Sequence, residues 1–206
     1  MTNMTTNPDA RYVIHPKYGD PSGTYDFTTD SRVVDLGEGD WKIEGTSVLA
    51  TAAEINRATD VSTRLVNATA TTLAVTIAAH DGKTVTFNRA AGIAVTLPAA
   101  TGTGAIFRFV VTTAFTGAAT IKVTTTDTMI GLVLGLDGDG APANAWTVGG
   151  TDDTITFDGA ATPNMTQGGF AGDMYEIQDI APALWLVRGF IKQTGTEATP
   201  MSATVS

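Results

Sequence analysis

Two histidines, one serine between a glycine and a leucine, and a scatter of carboxylates are the residues here that could do chemistry. Acyl transfer by a serine hydrolase needs a nucleophile, a base and an orienting acid. His15 and His80 are the only histidines, and Gly45-Thr46-Ser47-Val48-Leu49 lacks the closing glycine of a nucleophile elbow. His15 beside Pro16, and His80 at the tip of an expected hairpin, read as solvated loop residues. Asp137 and Asp139 in LDGDGAPANAW have the spacing of the first two ligands of a calcium loop. Pro142 stands where an EF-hand needs its glycine, and Val148 stands where it needs a bidentate glutamate. That leaves either a looser site completed by carbonyls or a neighbouring subunit, or an acidic β-turn of the kind Asp and Gly favour.

Glycoside cleavage requires two carboxylates a set distance apart across a sugar. Asp152, Asp153, Asp158, Asp173, Glu176 and Asp179 supply the acids. Aromatic residues total only 7% and the tryptophans are dispersed at Trp41, Trp146 and Trp185. Trp185 lies in an apolar strand pattern and reads as core; Trp41 and Trp146 are better placed for partial exposure. The glycines of Gly102-Thr103-Gly104 and Gly138-Asp139-Gly140 precede neither a helix nor a Gly-Lys-Ser/Thr sequence, so they read as turns and not as phosphate loops. No catalytic, cofactor or metal set is assigned, and the chain reads as a non-enzyme.

The elements that would position these residues are strands. LAVTIAA (73–79), TVTFN (84–88), IAVTL (93–97) and AIFRFVV (105–111) alternate apolar and polar residues with period two. His80-Asp81-Gly82-Lys83 carries an Asp-Gly hairpin signal between the first two. Pro98 ends the third, because it has no amide to give a ladder. ATIKVTT (119–125), TMIGLVLGL (128–136), AWTV (145–148), DTITF (153–157), DMYEIQDI (173–180) and ALWLVRGF (183–190) follow at short intervals, the second of these apolar on both faces. The pattern predicts an all-β fold, a single sandwich or barrel-like domain of about nine short antiparallel strands.

Before that body, Pro8, Pro16, Pro21 and the Gly-Asp pairs interrupt any long element, so residues 1–45 read as an extended arm. Its short extended pieces are RYVIH (11–15), TYDFT (24–28) and SRVVDL (31–36), with WKIEG (41–45) as a strand entering a connector. Thr51-Ala52-Ala53-Glu54 has capping-box spacing and starts one short helix. The predicted organisation is an arm (1–45), a helical connector (46–70), a β body (71–192) and a polar tail (193–206). The loop AATPNMTQGGFAG (160–172) is the longest gap in the strand pattern, and loops of this length are often functional.

Composition narrows the classes of function. Charged residues are only 16% of the 206, and threonine exceeds one residue in six; its β-branched side chain suits strands. Net charge is −9 with 12 Lys and Arg, which argues against binding nucleic acid or an anionic membrane surface. Cysteine is absent, excluding disulfides and thiolate metal sites. No apolar run reaches the ~20 residues of a membrane span, and the N-terminus lacks the pattern of a secretory signal. Synthesis in the cytoplasm is the expectation.

Three segments carry a family likeness. TATAAEINRATDV is close to a "TA-x-ELN" segment, and AAGIAVTLPAATGTGAIFRFVV and GTEATPMSATVS have the same character. From Gly45 onward the chain resembles bacteriophage virion proteins, namely head decoration proteins and tail-fibre modules. The resemblance implies a capsid decoration (cementing) protein on the virion surface, with the major capsid protein and further copies of itself, as a homotrimer, for partners. A tail- or head-fibre module that binds a host receptor or glycan is the alternative. Strand addition by the arm would use Tyr12, Ile14, Val33 and Val34. Trp41 joins these as an interface residue, and Ile55 and Leu65 would meet their copies near an axis or pack on their own body.

Overall fold

The computed structural model describes residues 64–124, 126–140, 142–159 and 165–203, with Lys42–Ile43, Thr46–Ser47 and Glu54–Ile55 before them. Contacts divide the chain into two units, Met1–Asn56 and Arg57–Ser206. In the first, β1 (Lys42–Ile43) pairs antiparallel with β2 (Thr46–Ser47), and Glu54–Ile55 is helical. The first of these strands lies within WKIEG, as its alternation predicts. Tyr12, Ile14, Val33, Val34 and Trp41 lie outside the described residues, as do RYVIH, TYDFT and SRVVDL.

The second unit is all-β, with two sheets in a sandwich-like arrangement. Its elements are β3 (Leu65–Ala68), β4 (Thr72–Ala74), α1 (Ile77–His80), β5 (Thr84–Phe87), β6 (Ala94–Thr96), β7 (Ile106–Val111), β8 (Ala119–Lys122), β9 (Thr128–Asp137), β10 (Asn144–Asp152), β11 (Thr154–Phe157), β12 (Met174–Ala181), β13 (Leu184–Gln193) and β14 (Met201–Ser202). The larger sheet has the order β10-β9-β13-β12-β7-β5-β3 and the smaller β14-β11-β8-β6-β4. β3 falls in the stretch expected to be connector, and β14 in the stretch expected to be tail.

Strand direction departs from the sequence expectation. From β3 to β8 the chain alternates between sheets, and each strand pairs in parallel with the next one on its own sheet. Val66, Val85 and Phe109 stack on the larger sheet, and Leu73, Val95 and Ile121 on the smaller. These are successive rungs of a coil, each burying its inward residue against the next. β13 also runs parallel to β9, whereas β7–β12, β12–β13, β9–β10 and β8–β11 are antiparallel.

The expected hairpin at His80–Lys83 does not form. Thr76 caps α1 by accepting from the Ala79 amide, and Gly82 takes a positive φ of 71°. The turn then holds the start of β7: the Gly82 amide donates to the Ile106 carbonyl, and Asp81 Oδ1 accepts from the Ile106 amide at 3.0 Å. A two-residue Asp-Gly hairpin would need positive φ at both positions, whereas here only Gly82 takes it and Asp81 stays at −58°.

Between the sheets lies one apolar core. Phe87 packs against Phe109, Phe115 and Phe157 with centroids 5.6–6.2 Å apart, and Phe157 meets Tyr175 edge-on at 5.4 Å. Trp185 is fully buried beside Phe107, as its apolar strand predicts. Its indole N–H donates to Asp127, which also accepts from the Ala100 amide.

Candidate functional site

The outward face of the larger sheet carries an apolar patch, centred on β9, β13 and β12, beside a charged row. Alternation turns Met129, Val133, Trp185, Val187, Tyr175, Ile177, Phe107 and Phe109 inward. The opposite positions of the same strands are therefore outward. One cross-strand row runs Ala145–Leu134–Phe190–Met174–Val110–Thr86–Asn67, and the next runs Thr147–Leu132–Arg188–Glu176–Arg108–Thr84–Leu65. Leu132 is 48% exposed, Leu136 54%, Phe190 52% and Leu65 67%. Every exposed large hydrophobic side chain among the described residues (these four with Leu134, Met174 and Ile180) belongs to strands of this sheet and points away from the core.

Charge on that face is arranged as a short ladder. Glu176 accepts from Arg108 Nε at 3.0 Å and from Arg188 at 3.1 Å, on neighbouring strands in register. With Lys192 at the edge of the apolar rows, the face carries more positive than negative side chains in a chain of net charge −9.

The smaller sheet presents the opposite chemistry. Its outward positions are Thr72, Ala74, Ala94, Thr96, Thr120, Lys122 and Thr156, small or polar residues that water solvates well. One molecule thus has a face made for water and a face that is not.

The acids singled out from the sequence are loop organisers. Asp179 accepts from the amides of Thr101, Gly102 and Thr103 and from the Thr103 hydroxyl, at 2.7–3.1 Å. Burial alone would raise its pKa, but these donors outweigh it and hold the carboxyl below the usual carboxylate range. Asp173 accepts from the amides of Gly169, Phe170 and Lys192, yet burial dominates there and lifts its pKa to about 6. Tyr175 is pushed well above its ordinary value by burial and by the charge of Asp173, and its buried hydroxyl has no hydrogen-bond partner among the described residues. Asp158 accepts from Thr166 and the Gln167 amide, tying down the described end of the 160–172 loop. Asp152 closes a turn on the Gly149 amide, and Asp153 is buried and accepts from Thr154.

Two further expectations change. His80 is not solvated: it is 8% exposed, with Nδ1 within 3.2 Å of both the Thr76 amide and carbonyl. The Asp137–Asp139 turn gains Glu197 from a distant segment, and the three carboxylates come within 4.8 Å of one another. Two of them already serve backbone donors: Asp137 accepts from the Asp139 and Gly140 amides, and Asp139 from the Gly195 amide at 2.7 Å. The turn reading accounts for these bonds, which dock the β9–β10 loop on the segment after β13.

Ile55 is half-buried and Leu65 exposed, and they fall in different units. Trp146 is half-buried, its indole N–H donating to Gln193 at 2.8 Å. No protein-family model, curated protein or solved structure matches this chain.

Proposed function

We propose that this chain is a bacteriophage virion structural protein without enzymatic activity, a capsid decoration protein that cements the outer shell. The observation that carries the reading is the outward face of the larger sheet. A contiguous apolar sheet face on a soluble protein marks a protein-binding surface. It suits a component that works inside an assembly. The motif resemblance from Gly45 onward supplies the kind of assembly, and the 1–45 arm is the proposed contact with the major capsid protein by strand addition. Weak contacts of this sort gain strength when many copies sit on one shell.

A tail- or head-fibre module is the second reading, and the stacked rungs favour it. Parallel rungs extend along one axis, as in solenoid proteins that build long binding surfaces. Copy number and position on purified particles, by quantitative gel and antibody labelling in the electron microscope, separate the two. Hundreds of copies over the head are expected for decoration. A few copies at a vertex or along the tail would transfer the chain to the fibre class, and absence from particles would remove it from virions altogether.

A further inference from the structure

We propose that the outward face of the larger sheet packs against the same face of a second copy of this chain. The inference rests on the reading of the body as an assembly component and names the partner of its apolar face.

The central strands are more apolar than a sheet with one solvated face requires. β9 reads TMIGLVLGLD, a near-continuous apolar run, and lies parallel beside β13, LWLVRGFIKQ, whose outward side carries Leu184, Leu186 and Phe190 with Arg188 and Lys192. Such runs belong to strands covered on both faces. The core covers one face here, and Leu132, Leu134, Leu136 and Phe190 stand on the other.

Leu65, Leu132, Leu134, Leu136, Met174, Ile180 and Phe190 are all of the exposed large hydrophobics among the described residues, and all lie on this face. The smaller sheet offers threonine and alanine instead. Within the described body, then, the surface able to bury this face is the face itself, which is the condition for an isologous contact.

The face is also large enough. Seven strands of four to ten residues, at about 4.8 Å spacing and 3.3 Å rise, present on the order of 800 Å². That is about what each partner contributes to a standard stable interface.

Sedimentation equilibrium of the full chain, from about 1 to 100 μM, tests this. The wild type is expected to associate. A variant carrying Leu132→Thr, Leu134→Thr and Phe190→Thr, which keeps strand-forming residues, is expected to weaken association by at least about a hundredfold. Its far-ultraviolet circular dichroism should be unchanged. Ala94→Asp, on the outward face of the smaller sheet, should leave association intact. A wild type that stays monomeric throughout overturns the proposal, whether the face is then covered by the chain's own N-terminal residues or by a shell protein. So does an oligomer that the triple variant does not weaken, or one that Ala94→Asp weakens equally. A self-associating chain missing from particles would sink the virion reading and leave this one standing. A monomer abundant on heads would do the reverse.

Discussion

At the residue scale the carboxylates gather backbone amides, and burial and those hydrogen bonds shift two of them in opposite directions. Asp179 gathers three amides and a hydroxyl from the Thr101–Thr103 turn. Removing it by Asp179→Ala leaves those donors without their acceptor in a covered site, at about 1–3 kcal/mol for a donor that stays dry. Urea denaturation should show a loss of roughly 3 kcal/mol, with faster hydrogen exchange at the amides of residues 101–103; an unchanged midpoint would mean that water replaces the carboxylate. Asp173 makes the opposite case. Its folded pKa of about 6 lies above the ordinary 3.8, so the folded state takes up the proton before the unfolded chain does. The penalty for its charge is therefore full above pH 6 and disappears as pH falls towards 4, a stabilisation of about 3 kcal/mol at most. Asp179 acts in another window, because its folded pKa is depressed. Its contribution is present above the ordinary carboxylate pKa and is lost below it. The melting temperature should thus climb between pH 7 and 5, and the Asp173→Asn variant should lack that climb. A slope that survives the substitution would assign it to another group. None of this was legible in the sequence. Acids and glycine-rich turns are both visible there, but the partners of Asp179 lie more than seventy residues away.

At the element scale, period-two alternation located most strands of the body, and Val85, Phe87, Val95, Phe107, Phe109 and Ile121 are buried as it predicts; it missed β3 and β14, and LAVTIAA (73–79) is strand only to Ala74 before α1 begins at Ile77. It could not give their direction, because a parallel and an antiparallel partner impose the same alternation on a strand. The coil from β3 to β8 followed from that ambiguity, as did the hairpin that is a turn beneath β7. The parallel β9–β13 pair makes its own demand on sequence. Gly131 sits in β9 with φ of +144°, and a Cβ there would run into the Val187 carbonyl. Gly150, in β10, has open space around the same position. Gly131→Ala should therefore cost about 3 kcal/mol or more, from backbone strain and overlap together. Gly150→Ala should stay within about 0.5 kcal/mol. Chemical denaturation of the two variants side by side checks this, and equal effects would mean that β9 can shift away from β13.

At the scale of the whole molecule the two sheets answer to different surroundings. Threonine-rich outward positions on the smaller sheet make the low charge content tolerable in water, whereas leucine, phenylalanine and methionine on the larger sheet make it costly. The sequence held a trace of this, since TMIGLVLGL is apolar on both faces, but a buried strand and an uncovered one read alike until the core is assigned to one side. If the uncovered side is met by a second copy, folding and association are coupled, and apparent stability must depend on protein concentration. Native pairs that unfold to single chains should melt roughly 3 °C higher across a hundredfold rise in concentration, given the unfolding entropy typical of two chains of this length. The triple threonine variant should melt at a temperature independent of concentration, because its native state is already a single chain. Differential scanning calorimetry at about 2 and 200 μM distinguishes these cases. A concentration-independent wild type would mean that the apolar face stays uncovered by copies in solution, and the partner that covers it would then have to be sought on the particle.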